Sequence, residues 1–415
     1  MEVTPGYKQT EVGVIPADWE LRSLGQLFSF SNGVNAAKES YGKGFRFVNV
    51  LEPITFSHLH GPEIPGRVEV PAAVAEAYAV KPGDVLFNRT SETDAELGMA
   101  AVYLGSEQVV FGGFVIRGRP VDHSLDVTYS GYALRAPLIR GQIVPMGQGA
   151  IRANIGQSNL SRVICPVPSL VEQRAIGAAL SDVDALLSGL DRLIAKKGDL
   201  KRAAMQQLLT GQTRIPGVGR EWKMVSLDSI VTKTAGFWGL EKRDVGHQNH
   251  VEVIRAGDIA PDGKLTATAT RYFSDDELAM AQCRRGDVVI TGSGSVGKVW
   301  WCDGRSDVAA SNFVRVLRPR GELVDGRYLF QLLLSDATQR LMVEHVATGV
   351  MANLGSSFFT KEWLPLPPLA EQRAIAEILC DMDAELVALQ ARRDKTRDLR
   401  HAMMQELLTG KSRLV

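Results

Sequence analysis

From Ile176 the chain places apolar residues at Leu180, Val183, Leu187, Leu190 and Ile194, stepping by four and three in alternation. That 3.5-residue period is the seam of a coiled coil; a helix packed only on its own domain has a period nearer 3.6. The pattern returns at Ile375, Leu379, Met382, Leu386 and Leu389, and Arg393 interrupts it. Both seams have clear ends. The prolines of "PVPSL" and "PLPPL" hold the lead-in extended. Ser169 or Pro368 opens the helix, Glu172 or Glu371 suits its first turn, and Gly211 or Gly410 closes it. A helix of roughly 38 residues spans on the order of 55 Å. One apolar seam needs a partner and the second copy supplies it. The two helices are therefore expected to pair antiparallel, with the globular parts at opposite ends.

Outside the helices the hydrophobic pattern changes to short β-rich runs bounded by Gly, Pro and Asp. In the first half these are "FRFVNVLEPITF", "GDVLFNR", "AAVYLG" and "QVVFGGFVIRGRP". In the second half "HVEVIRAGDI", "GDVVITGS", "KVWWCDG" and "SNFVRVLRP" follow in the same order, and short helices are expected from "PAAVAEAYAV" and "DGRYLFQLLLSDATQRLMVEHV".

The matching order reflects an internal duplication. Residues 163–215 align without a gap to residues 362–414, with 25 identities over 53 positions. Upstream, Trp19, Ser23 and Leu24 match Trp222, Ser226 and Leu227, and Gly83-Asp84-Val85 match Gly286-Asp287-Val288, at an offset of 203. By Phe114-Val115 and Phe313-Val314 the offset is 199, and it stays there through Asn154 and Asn353. The two halves thus differ in length between Val85 and Phe114, where "NRTSETDAELG" stands opposite "TGSGSVG". A shared frame with one divergent loop is the pattern expected of two recognition domains with different targets.

Charge limits what such domains bind. The chain has 47 basic and 47 acidic residues. Residues 1–165 hold 14 basic against 16 acidic, and residues 216–364 hold 18 of each. Phosphate contacts supply most nucleic-acid affinity, so a protein of this balance binds DNA weakly alone or relies on a partner for basic surface. Cys165, Cys283, Cys302 and Cys380 are scattered with no C-x-x-C pair, which points away from zinc and disulfides and towards a reducing cytosol. His58-x-His60 and His247-x-x-His250 lack a neighbouring cysteine or carboxylate cluster, so no metal site is expected. No apolar run reaches the roughly 20 residues that cross a bilayer, and the N-terminus has no signal-peptide pattern.

The "TGSGSVGK" stretch has Gly292, Gly294 and Gly297 at dinucleotide-fingerprint spacing. A phosphate site needs a helix after that loop, yet "KVWWCDG" reads as another strand, and Val299 stands where a P-loop needs Ser or Thr. A glycine-rich hairpin is expected instead.

The duplicated "P-x-P-x-L-x-E-Q-R-A-I", with "L-L-T-G" about 35 residues on, resembles the specificity subunit of Type I restriction–modification systems, and the resemblance covers essentially the whole chain. "GYKQTEVGVIPADW", the "GDV" strand starts and "ATGVMANLGSSFF" resemble that family too. The resemblance implies an α+β fold: two mixed α/β target recognition domains, each followed by a long helix, the helices forming an antiparallel coiled coil with pseudo-twofold symmetry. The expected division is 1–165 and 215–364 for the domains, 166–214 and 365–415 for the helices. Each domain would read one part of a bipartite double-stranded DNA target. The helices would span the unread spacer and dock two methyltransferase subunits, with endonuclease/translocase subunits joining for restriction, in the cytoplasm and in host defence. The chain itself is expected to be non-catalytic and to hold no cofactor. S-adenosylmethionine, ATP and Mg belong to the partner subunits. No Asn/Asp-Pro-Pro-aromatic loop, nuclease pattern or Walker A sequence is present. The rival readings are a nucleotide-dependent enzyme using loop 292–298 and a coiled-coil adaptor without DNA recognition.

Side chains that match base edges, on loops beside strands, are the candidate DNA contacts. They are Asn88, Arg89, Thr90, Ser91, Arg152 and Asn154 in the first half, and Thr291, Ser293, Ser295, Lys298, Asn312 and Asn353 in the second. Arg89 and Lys298 suit phosphate equally. Arg46 and Arg255, on matching strands, are candidates for DNA or for a salt bridge. Glu172-Gln173-Arg174 and Glu371-Gln372-Arg373, repeated verbatim, cap the helix, hold the domain–helix junction or form part of the methyltransferase dock.

Overall fold

The structure is a computed structural model that describes residues 4–149, 152–217, 221–236, 250–266, 269–272, 282–304, 308–347 and 352–414. The chain forms two compact units. One comprises Met1–Asp191 with Arg392–Val415, the other Arg192–Ala391. The units therefore cut across the linear division read from the sequence: each contains the start of its own long helix and the end of the other.

In the first unit a five-stranded sheet has the order Phe28–Asn32, Val115–Pro120, Val85–Asn88, Ala100–Tyr103, His58–Leu59. A four-stranded sheet has the order Arg67–Val68, Tyr41–Val48, Val109–Phe111, Ala79–Val80. The run "QVVFGGFVIRGRP" supplies a strand to each sheet, with a turn closed by the Val115 N–H on the Gly112 carbonyl at 2.9 Å. "FRFVNVLEPITF" is not one strand. It leaves the sheet after Val48 and becomes the helix Leu51–Thr55. Pro53 is tolerated in a first turn, where its missing N–H would be unpaired anyway, and Glu52 accepts the Asn49 N–H at 2.8 Å.

The second unit repeats this frame. Its four-stranded sheet has the order Val231–Ala235, Val314–Pro319, Val288–Thr291, Val299–Trp301, and its three-stranded sheet pairs His250–Ile254 with Ala269–Tyr272 and Val308–Ala310. The "DGRYLFQLLLSDATQRLMVEHV" run forms two helices, Gly326–Leu334 and Asp336–Glu344. They break at Ser335, whose hydroxyl accepts the Thr338 N–H.

The long helices are Leu170–Leu209 and Leu369–Leu407, and Gly211 and Gly410 follow them at φ 75° and 70°, the left-handed conformation that ends a helix. Within the first unit Arg400 pairs with Asp184, and Leu407 and Leu408 pack with Ile176 and Leu180. Within the second, Lys201 reaches Asp383 at 2.6 Å and Lys197 reaches Glu385, while Leu208 and Leu209 pack with Ile375 and Leu379. One helix advances as the other retreats, so the pairing is antiparallel. Ile176, Leu180, Leu190, Ile375 and Leu379 are buried, and Val183, Leu187, Met382, Leu386 and Leu389 half-buried. Arg393 leaves the seam to pair with Asp191 and Asp394. The start of each helix also packs on its own domain: Tyr129 and Tyr132 share the cluster of Ile176, and Tyr328 and Leu332 that of Ile375.

Candidate nucleic-acid interface

The frame localises the length difference between the halves. Strand Val85–Asn88 corresponds to Val288–Thr291, and Ala100–Tyr103 to the strand starting at Val299. Residues 89–99 therefore stand opposite residues 292–298. Both loops are held by the same three devices.

First, the residue that opens each loop is clasped on both sides. The Arg89 N–H donates to the Phe114 carbonyl (2.9 Å), and its carbonyl accepts the Ile155 N–H (3.0 Å). The Gly292 N–H donates to the Phe313 carbonyl (2.9 Å), and its carbonyl accepts the Leu354 N–H (2.8 Å). Next to it Thr90 pairs with Asn154, as Ser293 does with Asn353. Secondly, the last residue of the preceding strand pins the loop from inside. Asn88 donates Nδ2 to the Glu96 carbonyl at 3.0 Å, and Thr291 donates Oγ1 to the Ser295 carbonyl while accepting the Lys298 N–H. Thirdly, a helix side chain holds the loop from behind. Arg140 donates to the carbonyls of Leu97, Asp94 and Ala95, and Gln339, 199 residues on, donates to that of Gly297 at 2.9 Å.

These contacts show that several of the candidate residues are engaged within the fold. Asn88 and Thr291 have no exposed surface, and Ser91 is 6% exposed, its hydroxyl donating to Glu96 Oε2 at 2.9 Å. All three side chains point into the fold and bond to the loops. The Arg46 guanidinium is engaged by Glu107 (2.5 Å) and the Ile64 carbonyl, and Arg255 is in a two-bond pair with Asp258 (both 3.1 Å). Both are salt bridges, and the one from Arg46 holds the Glu107 carboxyl below its usual range.

The outward-facing remainder differs between the units. In the first, Arg152 and Asn154 are exposed and Arg89 and Thr90 half-buried. Arg152 pairs with exposed Glu92 at 2.7 Å, and Arg89 reaches the Gly113 carbonyl at 3.3 Å. Of these, Thr90, Glu92 and Arg152 border a cavity of about 360 Å³ whose other wall includes Leu51, Ile54 and Phe114. In the second, Ser295 and Asn353 are exposed and Ser293, Lys298 and Asn312 half-buried, with the Ser293 hydroxyl on Asn353 Oδ1.

The glycine loop is a hairpin between two antiparallel strands. Gly294 and Gly297 need the left-handed region (φ 76° and 85°). Its amides are already used: Gly294 N–H donates to the Ala352 carbonyl, Val296 to Gly294, Gly297 to Thr291, and Lys298 to the Thr291 hydroxyl. A phosphate cradle needs such amides free and a helix start behind them. Neither is present.

The repeated Glu-Gln-Arg triplets sit at the domain–helix junction. Glu371, fully buried, accepts Arg214 Nε and Nη2 at 2.8 and 2.9 Å, Trp222 Nε1 at 3.0 Å and the Ile215 N–H. Burial would raise the Glu371 pKa, but these donors outweigh it and hold it below the usual carboxylate range. In the first unit Glu172 accepts Trp19 Nε1 at 3.0 Å and Arg413 Nε and Nη2. Gln173 bridges the Asp126 N–H to the Ser124 and Pro168 carbonyls, as Gln372 bridges Asp325 to Leu323 and Pro367. Arg174 and Arg373 lie 3.8 and 4.0 Å from Asp126 and Asp325. The repeats exchange ends: the arginine after the first helix closes the second unit, and the arginine after the second helix closes the first.

Among the described residues no cluster of His, Cys, Asp or Glu suits a metal ion. His58 binds Ser57 and the Thr128 carbonyl, and His247 lies outside the described residues. No helix among the described residues is long and apolar enough to cross a membrane.

Comparison with known proteins agrees with this architecture. Residues 219–396 match the family model described as the Type I restriction modification DNA specificity domain. A chain of Methanocaldococcus jannaschii, named provisionally as a type I restriction enzyme specificity subunit, is 24% identical over 98% of this chain and 97% of its own. A second specificity subunit from that organism is 22% identical over 75% of this chain and 76% of its own. The crystal structure of the S subunit of a Type I restriction–modification system from M. genitalium shares the fold, with a TM-score of 0.57 at 15% identity over 98% of both chains. Residues 219–396 thus match a Type I restriction modification DNA specificity domain, and the chain as a whole, with its shared frame, divergent loops and antiparallel long helices, is similar to the specificity subunits of Type I restriction–modification systems.

Proposed function

We propose that each unit reads one part of a bipartite double-stranded DNA target through its divergent loop and the Asn-bearing strand that clips it. The observation that carries this reading is the placement of the length difference between two copies of one frame: it falls in a loop that the frame holds from three sides. Natural variation in such a loop changes what is read without disturbing the core. The paired helices keep the half-sites a set distance apart, in the way a rigid dimer fixes half-site spacing. The DNA-facing set is Arg89, Thr90, Arg152 and Asn154 in the first unit and Ser293, Ser295, Lys298, Asn312 and Asn353 in the second.

Chemistry belongs to partners. Balanced charge gives this chain little phosphate affinity of its own, so two methyltransferase subunits would grip the DNA as well as modify it. They would bring S-adenosylmethionine, and endonuclease/translocase subunits would bring ATP and Mg. The assembly would work in the cytoplasm. Co-expression with the methyltransferase subunit, followed by sequencing that reports methylated adenines, tests the reading. One bipartite motif with an unread spacer of constant length is expected. No motif, or a continuous one, would refute it.

A further inference from the structure

The duplication preserves a Phe-Val pair, at 114–115 and at 313–314, of which only the valine is buried. Val115 and Val314 are fully buried, each in the core of its unit. Phe114 and Phe313 are 55% and 38% exposed, and what sets them apart from other exposed apolar residues is that both stand at equivalent places beside the divergent loops. Both occupy the same place in the same turn. The Val115 N–H closes on the Gly112 carbonyl, and the Val314 N–H closes on the Ser311 carbonyl, both at 2.9 Å. Phe is the third residue of each turn, and its own carbonyl clasps the first residue of the divergent loop, Arg89 or Gly292. In the first unit Phe114 also shares the wall of the 360 Å³ cavity with Leu51, which is 68% exposed. A ring in this position is placed by the frame, stands beside the loop and remains partly open to solvent.

Resting on the reading of these loops as DNA contacts, we propose that Phe114 and Phe313 are equivalent specificity-determining residues. Each packs against the 5-methyl group of a thymine in its half-site. Among base edges in the major groove, the thymine methyl is the one apolar feature, and a Phe ring matches it. The frame would therefore contribute one constant apolar contact to each half-site, while the loop beside it supplies the variable polar ones.

The test uses the full chain in complex with its methyltransferase subunits. Phe114→Ala should make one thymine position of one half-site degenerate in the methylation motif and leave the other half intact. Phe313→Ala should do the reverse, and Phe→Leu at either site should largely retain selectivity. On oligonucleotides, replacing that thymine by deoxyuridine removes only the methyl group. It should slow wild-type methylation about fourfold, the worth of one buried methyl, and have no further effect on the matching alanine variant. Both residues are exposed, so the variants should fold, which circular dichroism and complex formation check. A half-site without a thymine, or alanine variants whose motif and deoxyuridine response equal wild type, would overturn the inference while leaving the bipartite reading standing. Absence of a bipartite motif from the wild-type complex would overturn both.

Discussion

Replacing Arg214 with Ala would strand the buried Glu371 carboxylate, and the geometry sets the size of the effect. Two charge-assisted hydrogen bonds, at 2.8 and 2.9 Å, disappear. Such bonds contribute about 1.5–3 kcal/mol each, and breaking a buried ion pair on one side costs about 3–5 kcal/mol. Trp222 and Ile215 still donate to Glu371, and the Arg214 side chain is 39% exposed. Both facts place the loss at the lower end, about 3 kcal/mol. For a unit of this size that is a Tm drop of about 6–12 °C, confined to the transition of Arg192–Ala391 in differential scanning calorimetry. Glu371→Gln should cost less, because the amide oxygen keeps one acceptor for Trp222 or Arg214. The pH dependence has a definite sign. With its folded-state pKa depressed, Glu371 stabilises the unit above its unfolded value near 4.5, and this is lost as pH falls through the folded value. The gap between wild type and Arg214→Ala should therefore close in acid. A shift below about 2 °C at neutral pH, or a gap that widens on acidification, would refute the role given to this clamp.

Other expectations follow from the loops and from the first unit. Gly294→Ala and Gly297→Ala force a side chain into the left-handed region, about 1–2 kcal/mol each; methylome sequencing should show changes only in the half-site read by the second unit. If Lys298 or Arg89 reads a base, alanine there relaxes one motif position at about 1–3 kcal/mol, whereas a phosphate contact weakens all sequences alike, which competition binding at two salt concentrations separates. Burial lowers the His58 pKa. The stability this neutral imidazole gives is complete above the unfolded value near 6.5 and declines below it, so the Tm of the first unit should fall from pH 7 to 5.5, and less so in His58→Gln.

The parts legible in the sequence were those with a strict period or an exact copy. The seam from Ile176 to Leu190 marks a helix whose inward residues are buried or half-buried, and the change of offset from 203 to 199 locates the divergent loop from sequence alone. Individual side chains were less legible. Asn88 and Thr291 have the chemistry of base readers, but each ends a strand on its inward side, and alternation there cannot be judged where four consecutive residues are buried. Nothing local in "APLIRGQ" or "DATQRLM" marks Arg140 or Gln339 as the support of a loop about 40 residues upstream. The closing triads were hidden for a related reason. Trp19, Glu172 and Arg413 are widely separated, and the repeat made each visible without revealing that the first repeat's glutamate meets the second repeat's arginine. The helix Leu51–Thr55 escaped because "LEPIT" carries a proline and β-branched residues, and tertiary packing of Glu52 and Pro53 overrode that propensity.

The most direct test of the account is a chimera in which residues 223–366 replace residues 20–167. The junctions fall at the equivalent paired strands Glu20–Ser23 with Ile164–Val167 and Lys223–Ser226 with Trp363–Leu366. Methylated adenines would be mapped in cells that co-express the methyltransferase subunit. The account predicts that both halves of the motif become copies of the half-site read by the second unit, with an unchanged spacer. A chimera that assembles yet keeps the original two-part motif would contradict it.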